Sequence, residues 1–395
     1  MTEVCRLADL CTIDITDGTH QTPTYVEQGI KFLSSKNVTT GVIDWDNIMY
    51  IPESLHKELY KRIAPQRDDI LLAKNGTTGV AAIVDRDEVF DIYVSLALLR
   101  PNQQIVNPRY LLYAINNPST KRFFDSHLKG IGVPNLHLTH VRETPIPVPS
   151  MEKQHEIVDI LDKLSDLIAM RKKQLQKLDD LVKSRFVELF GDPVTNPKGW
   201  DMPLIEDVVA NEKNALKAGP FGSALKKEYY VSSGYKIYGQ EQVISGDHTF
   251  GDYYIDEDRY KSLENCAVQA GDVLISLVGT YGKLLVMPEK FEPGIINPRL
   301  MKITFDKKRV NPYYFQHYFQ SDSLKKALAE NTHGGTMDIL NLGIVRKLAM
   351  PLPPLKLQNE FIAFVEQTDK SKLTIQQSLD KLELMKKALM QKYFD

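Results

Sequence analysis

Cysteine is scarce. Cys5, Cys11 and Cys266 are the only three in 395 residues, too few and too scattered for a disulfide framework or a four-ligand zinc site. A reduced, cytoplasmic protein is the expectation. No run of 18 apolar residues occurs, so no membrane span is expected, and the opening MTEVCRLADL lacks the apolar core of a signal peptide. Neither sign of charge dominates: 49 basic and 51 acidic side chains leave a net charge of −2. Residues 1–149 hold 15 basic and 17 acidic side chains, and residues 196–350 hold 19 of each. That balance argues against a sequence-blind polyanion binder and confines any nucleic-acid surface to a local patch.

Common catalytic signatures are missing too. There is no Gly-x-x-x-x-Gly-Lys-Ser/Thr loop to cradle phosphates, no His-Glu-x-x-His and no Gly-x-Ser-x-Gly. His137, His140 and His155 read as hydrogen-bonding histidines, the first two in a loop, not as ligands. Asn107-Pro108-Arg109-Tyr110 and Asn311-Pro312-Tyr313-Tyr314 approach the Asn-Pro-Pro-Tyr motif of adenine methyltransferases but lack its second proline. Each opens a helical pattern, and Asn followed by Pro is a helix N-cap with proline at the first helical position.

What is present is a duplication. Charged residues are 25% and hydrophobic ones 43%, so the chain can build cores. With a shift of 204, Val106-Asn107-Pro108 meets Val310-Asn311-Pro312, Pro147-Val148-Pro149 meets Pro351-Leu352-Pro353, Gln154 and Glu156 meet Gln358 and Glu360, and Phe190 meets Phe394. With a shift of 205, Tyr25, Gly29, Lys31 and Val38 meet Tyr230, Gly234, Lys236 and Val243. So long a period is two modules, not a solenoid. The expected order is module 1–149, helical arm 150–193, module 194–350, helical arm 351–395.

The arms are predicted as helices over 151–190 and 355–394. Ile157, Leu161, Leu164, Ile168, Leu175, Leu178 and Val182 form a heptad seam, with Arg171 in one seam position. Phe361, Val365, Thr368, Ile375, Leu379 and Leu382 repeat it; Lys372 and Lys386 interrupt it. Neither arm contains Gly or Pro, and each follows a proline cluster that forces an extended entry. About 37 helical residues span roughly 55 Å, longer than a compact domain needs. The duplicated arm is the obvious partner, giving an antiparallel two-helix coiled coil; a hairpin within one domain or an intermolecular coiled coil are the alternatives.

Each module reads as α+β, with β signals ahead of helical ones. Asp69–Ala73 and Asp272–Ser276 are strand-like, followed by Gly-rich turns (Asn75–Gly79, Val278–Gly282) and second strands at Val80–Val84 and Lys283–Met287, a hairpin signature. Around these lie loops rich in residues that contact DNA. In module one the candidates are Thr19, His20, Gln21, Ser34, Ser35, Lys36, Asn37, Lys74, Asn75, Thr77, Lys129 and Asn135. In module two they are Lys217, Ser223, Lys226, Lys227, Tyr238, Gln240, Thr280, Tyr281, Lys283, His333 and Thr336. Gln and Asn can pair with adenine, Lys and Arg with guanine, and Ser and Thr with phosphate. Polar loops are also simply solvated loops. Ser34–Asn37 and Tyr238–Glu241 match in position but not in residue type, as two readers of different sequences would.

These features together resemble the specificity (S) subunit of type I restriction–modification systems. The carriers are the duplicated order of block and arm, the Pro-rich entries, Gln154-x-Glu156-Ile157 and Gln358-x-Glu360-Phe361, and Phe186-Val187-Glu188-Leu189-Phe190-Gly191-Asp192-Pro193. Gly219-Pro220-Phe221-Gly222-Ser223 is similar to the opening motif of a target recognition domain, degraded in module one to Asp17-Gly18-Thr19-His20-Gln21-Thr22-Pro23. The resemblance implies two pseudo-symmetric target recognition domains, each reading half of a split asymmetric target in double-stranded DNA, with the arms setting the gap. It implies a non-catalytic chain with no cofactor of its own. Two modification subunits would bring S-adenosylmethionine, and restriction subunits would bring ATP and Mg. A coiled-coil scaffold that reads no sequence and a single-chain methyltransferase remain the rival classes.

Overall fold

A computed structural model of the chain describes residues 2–128, 134–221, 224–277, 282–330 and 340–395. It divides into two compact units, Met1–Lys173 with Gln376–Asp395, and Gln174–Ile375. The division falls inside the helical arms rather than at their ends.

The first unit carries strands β1 (Glu3–Arg6), β2 (Thr16–Asp17), β3 (Ile30–Leu33), β4 (Met49–Ile51), β5 (Ile70–Ala73), β6 (Ala81–Ile83), β7 (Phe90–Ile92), β8 (Leu96–Leu99) and β9 (Pro145–Val148). They form a four-stranded sheet β2-β8-β5-β6, a three-stranded sheet β4-β3-β7 and the ribbon β1-β9. The expected hairpin is β5 antiparallel to β6. β5 and β8 are buried at every position because each face has its own cover. Ile70, Leu72, Ala97 and Leu99 join the core under the helices, while Leu71, Ala73, Leu96 and Leu98 join the core toward the smaller sheet. The strand period of two sorts one run of apolar residues onto two cores.

The helix Pro108–Ile115 is capped as expected: Asn107 Oδ1 accepts hydrogen bonds from the backbone N–H groups of Arg109 and Tyr110. The Tyr110 hydroxyl donates to the Pro147 carbonyl at 2.7 Å. Gln154, fully buried at the start of the first arm, accepts from Asn107 N at 2.8 Å and donates to the carbonyls of Ile105 and Pro149 at 3.1 and 2.9 Å. Its amide therefore ties the arm to the helix cap and to the proline entry. The core is closed by Ile157, Val158 and Leu161 from the first arm and by Met390 and Phe394 from the second. The arm segments run antiparallel: Lys153 lies over Tyr393, Lys386 donates to Ser165 Oγ at 2.8 Å, and Lys172 pairs with Glu383 at 2.9 Å. His140, read as a loop residue, lies on the short helix Leu138–Arg142 with its ring 4.6 Å from that of His127.

The second unit repeats the plan with β10 (Leu216–Ala218), β11 (Tyr235–Tyr238), β12 (Tyr254–Ile255), β13 (Val273–Ser276), β14 (Leu284–Val286), β15 (Gly294–Ile296) and β16 (Leu300–Ile303). The sheets are β10-β16-β13-β14 and β12-β11-β15. Asn311 caps Pro312–Phe319, the Tyr314 hydroxyl donates to the Pro351 carbonyl at 2.8 Å, and Gln358 repeats the role of Gln154 with bonds of 2.8–2.9 Å to Asn311, Arg309 and Pro353. Phe186 and Phe190 from the end of the first arm pack around Tyr314 and Phe361 at ring separations of 4.9–5.8 Å. Here too the segments are antiparallel, with Lys372 2.7 Å from Asp179.

Both arms are 40-residue helices, Met151–Phe190 and Leu355–Phe394. Of the expected seam, Ile157, Leu161, Leu164, Val182, Phe361, Val365 and Leu379 are buried, with Thr368 beside them. Ile168, Leu175, Leu178, Ile375 and Leu382 are half-buried. The interrupting lysines are accommodated by partners: Lys372 pairs with Asp179 and Asp369, while Lys386 also lies over the Tyr113 ring, where burial pushes its ammonium pKa down.

Gln154→Ala and Gln358→Ala strip three main-chain partners each, and an abandoned buried polar group costs about 1–3 kcal/mol. Each substitution should lower the denaturant midpoint, whereas a Glu152→Ala control on the same arm should not. His317, edge-on to Phe361 at 5.1 Å, has its pKa pushed down to about 4 by burial, with Lys372 acting in the same direction and Asp369 against it. The unfolded chain binds this proton below about 6.5, so between the two values it takes up more protons than the folded one. Stability present above about 6.5 should drain away as the pH falls toward 4, by up to about 3 kcal/mol. His317→Phe should flatten that slope in urea titrations; an unchanged slope would assign it elsewhere.

Candidate nucleic-acid interface

In the first unit the polar loops converge at the strand ends. Gly18 makes this possible: a Cβ there would sit 1.9 Å from the Ile92 carbonyl oxygen, so only glycine lets the loop after β2 close on the turn between β7 and β8. Thr19 then exchanges main-chain bonds with Ile92 and Val94, Thr22 Oγ1 meets the Tyr93 hydroxyl at 3.2 Å, and Ser35 N donates to Ser95 Oγ at 2.9 Å. Asn75 bridges Asn135, which brings the Gly-rich turn to the same edge. His20, Gln21, Lys36 and Thr77 are exposed, and Thr19, Ser34, Ser35, Asn75 and Asn135 are half-buried. Lys129 lies outside the described residues.

Two candidates of this unit face inward. The Lys74 ammonium is buried 3.0 Å from the buried Asp17 carboxylate, an ion pair that fixes the loop rather than a free cation. Asn37 is buried: its Oδ1 accepts from Ser34 N and its amide donates to the Asn47 carbonyl, both at 2.9 Å. It completes the cap of a short 3-10 turn, so both are framework residues. Sequence reasoning missed Arg62, a cation at this edge, whose guanidinium donates to the Asp17 and Gly18 carbonyls, and missed Tyr93 and Ser95. Their signal was position alone, in a three-residue turn between two strands.

The second unit builds the same edge from other side chains. A Cβ on Gly219 would meet the Asn297 carbonyl oxygen at 1.9 Å, so the motif legible in Gly219-Pro220-Phe221 and the degraded one at Gly18 share a backbone requirement. Phe221 stands 85% exposed beside it. Gln240 opens the helix Gln240–Ser245; its Nε2 donates to Ser276 Oγ at 2.9 Å and its Oε1 accepts from Arg299 Nη1 at 3.3 Å. Lys226, Lys227 and Lys283 are exposed and Lys217 half-buried. Tyr238 is fully buried, its hydroxyl donating to the Glu292 carbonyl at 2.6 Å, and is a core residue. Ser223, Thr280, Tyr281, His333 and Thr336 lie outside the described residues. Among the described residues no group of three His, Cys, Asp or Glu side chains could hold a metal ion, and no helix is long and apolar enough to cross a membrane.

In each unit the strand-end loops present donors, acceptors and cations, residue types that can meet base edges and phosphates.

The family model for the type I restriction modification DNA specificity domain matches residues 2–180 and 197–384. The type I restriction enzyme MjaVIII specificity subunit of Methanocaldococcus jannaschii is 21% identical over 84% of this chain and 79% of its own length. The EcoBI specificity subunit of Escherichia coli is 24% identical over 48% of this chain and 40% of its own. Among solved structures, a chain from a study of complex assembly and conformational transition of the type I R-M system has a TM-score of 0.60 at 17% identity, covering 100% of this chain and 97% of its own. The S subunit from M. genitalium has a TM-score of 0.56 at 14% identity over 100% and 96%. At these identities the structural likeness speaks for the fold.

The inward-facing Asn37 and outward-facing Lys36 give opposite expectations. Asn37→Ala should lower stability by about 1–3 kcal/mol, the cost of stranding its partners. Lys36→Ala should leave the unfolding midpoint unchanged and weaken binding to duplex DNA more steeply at low salt. Equal unfolding midpoints for the two variants would refute the division.

Proposed function

The chain belongs to the type I restriction modification DNA specificity family, and on that premise we propose that its two units read the two halves of a split, asymmetric target in double-stranded DNA. It is the specificity subunit of a type I restriction–modification system, not itself an enzyme. The observation that carries the finer reading is the duplicated edge. The same loops are closed by Gly18 and Gly219 over the same turns, yet the side chains at matched places differ. One frame with two sets of contacts is what reading two different half-sites requires.

In this reading the arms set the number of unspecified base pairs between the half-sites and dock the modification subunits. Solvent-facing Leu167, Met170, Leu181, Val187, Leu373 and Leu384 on the arms are apolar surface available to such partners. Two modification subunits would hold S-adenosylmethionine, restriction subunits would hold ATP with Mg, and the assembly would work in the cytoplasm.

Co-expression with the modification subunit, followed by mapping of methylated adenines across a genome, tests this. A split motif that vanishes when this chain is omitted is the expected result; a stable complex with no motif would favour a scaffold. Inserting seven residues into both arms, between Lys173 and Gln174 and between Ile375 and Gln376, adds about 10 Å of helix. That should lengthen the gap by about three base pairs with both half-sites unchanged. Altered half-sites with the original gap would sink the spacing role.

A further inference from the structure

We propose that Arg299 is the residue through which the second unit recognises a guanine, and that Gln240 is its positioning residue; the proposal rests on the reading that this unit binds duplex DNA. Arg299 ends the turn Asn297–Arg299 between β15 and β16. Both of its main-chain groups are tied: its N–H donates to Asn297 Oδ1 at 2.9 Å, and its carbonyl accepts from Leu277 N at 2.9 Å. Asn297 N in turn donates to the Tyr238 carbonyl at 2.8 Å. Two glycines let neighbouring loops close on this turn, since a Cβ on Gly219 would overlap the Asn297 carbonyl and one on Gly239 would sit 2.8 Å from Asn297 Nδ2. The Arg299 side chain is thus launched from a fixed point, at the meeting place of the loop bearing Phe221 and the helix start bearing Gln240.

The chemistry of the Gln240 amide decides the roles. Its NH2 group is engaged by Ser276 Oγ and its oxygen by Arg299 Nη1. With both ends occupied it no longer presents the free donor–acceptor edge that pairs with adenine. Instead it holds one of the five guanidinium N–H groups of the exposed Arg299. Arg299 is exposed, and no carboxylate pairs with it among the described residues. A carboxylate partner would occupy the planar fork bidentately. A neutral amide steers the fork and leaves it free for guanine O6 and N7, the commonest specific contact of arginine. At the corresponding junction of the first unit, Ser35 N meets Ser95 Oγ, which supplies no cation, so the effect belongs to one half-site.

The test uses the full chain in complex with its modification subunit, as wild type, Arg299→Ala, Arg299→Lys and Gln240→Ala. Adenine methylation is measured on duplexes carrying each base at every position of both half-sites. Arg299→Ala should lose its preference for guanine at one position of one half-site by roughly tenfold to a hundredfold, with the other half-site and the thermal midpoint unchanged. Arg299→Lys should keep a weaker preference, and Gln240→Ala should relax the same position by a smaller factor. Base preferences unchanged at every position would overturn the proposal. So would a uniform loss across all sequences, the behaviour of a phosphate contact. A wild-type complex that methylates no split motif would remove the reading on which the proposal rests, a result distinct from an intact motif indifferent to residue 299.

Discussion

In each unit the core under the helices closes only with a piece of the opposite arm. Phe394 lies 5.2 Å from Tyr110 in the first unit, and Phe190 lies 4.9 Å from Tyr314 in the second; the two phenylalanines, like the two tyrosines, are 204 positions apart. Burying an aromatic side chain stabilises by about 1.5–3 kcal/mol, so an arm that did not reach across would leave an apolar hole at the helix cap. Two 40-residue helices are thereby held at both ends. Gln154 and Gln358 fix the angle at which each arm departs, because each carboxamide satisfies one donor and two acceptors of the main chain at once.

The arms, the caps and the hairpins were legible because their signals are local. The heptad spacing from Ile157 to Val182, the absence of Gly and Pro, and Asn before Pro each act within a few residues. The parallel pairing of β3 with β7, joining Lys31 to Phe90, is non-local and leaves no period in the sequence. The reading surface was half legible. Residue type marks Lys36, Lys74, Asn37 and Tyr238 alike as possible contacts, but inside and outside are decided by the fold. Lys74 turned inward because Asp17 is there to receive it, and Asn37 because a short turn needed a cap. Arg62 and Arg299 were missed for the converse reason: an isolated arginine carries no pattern until two loops meet beside it.

The two units differ where a reader should and agree where a frame should. Sheet order, glycine approach, capped helix and buried glutamine recur, while the junction that is Ser35 with Ser95 in one is Gln240 with Arg299 in the other. Discrimination between sequences is a difference of contact energies, and a rigid scaffold lets those contacts change without cost to the core.

The distance along the chain between partners bears on how the molecule is made. Asn117 donates to the side chain of Asp395, 278 positions away. Synthesis at 5–20 residues per second separates them by roughly 14–56 s. Through that interval the nascent first unit carries an uncovered apolar socket around Tyr110, which the last turns of the second arm fill. The order of translation and the order of completion therefore run in opposite senses, and the first unit to leave the ribosome is the last to be sealed.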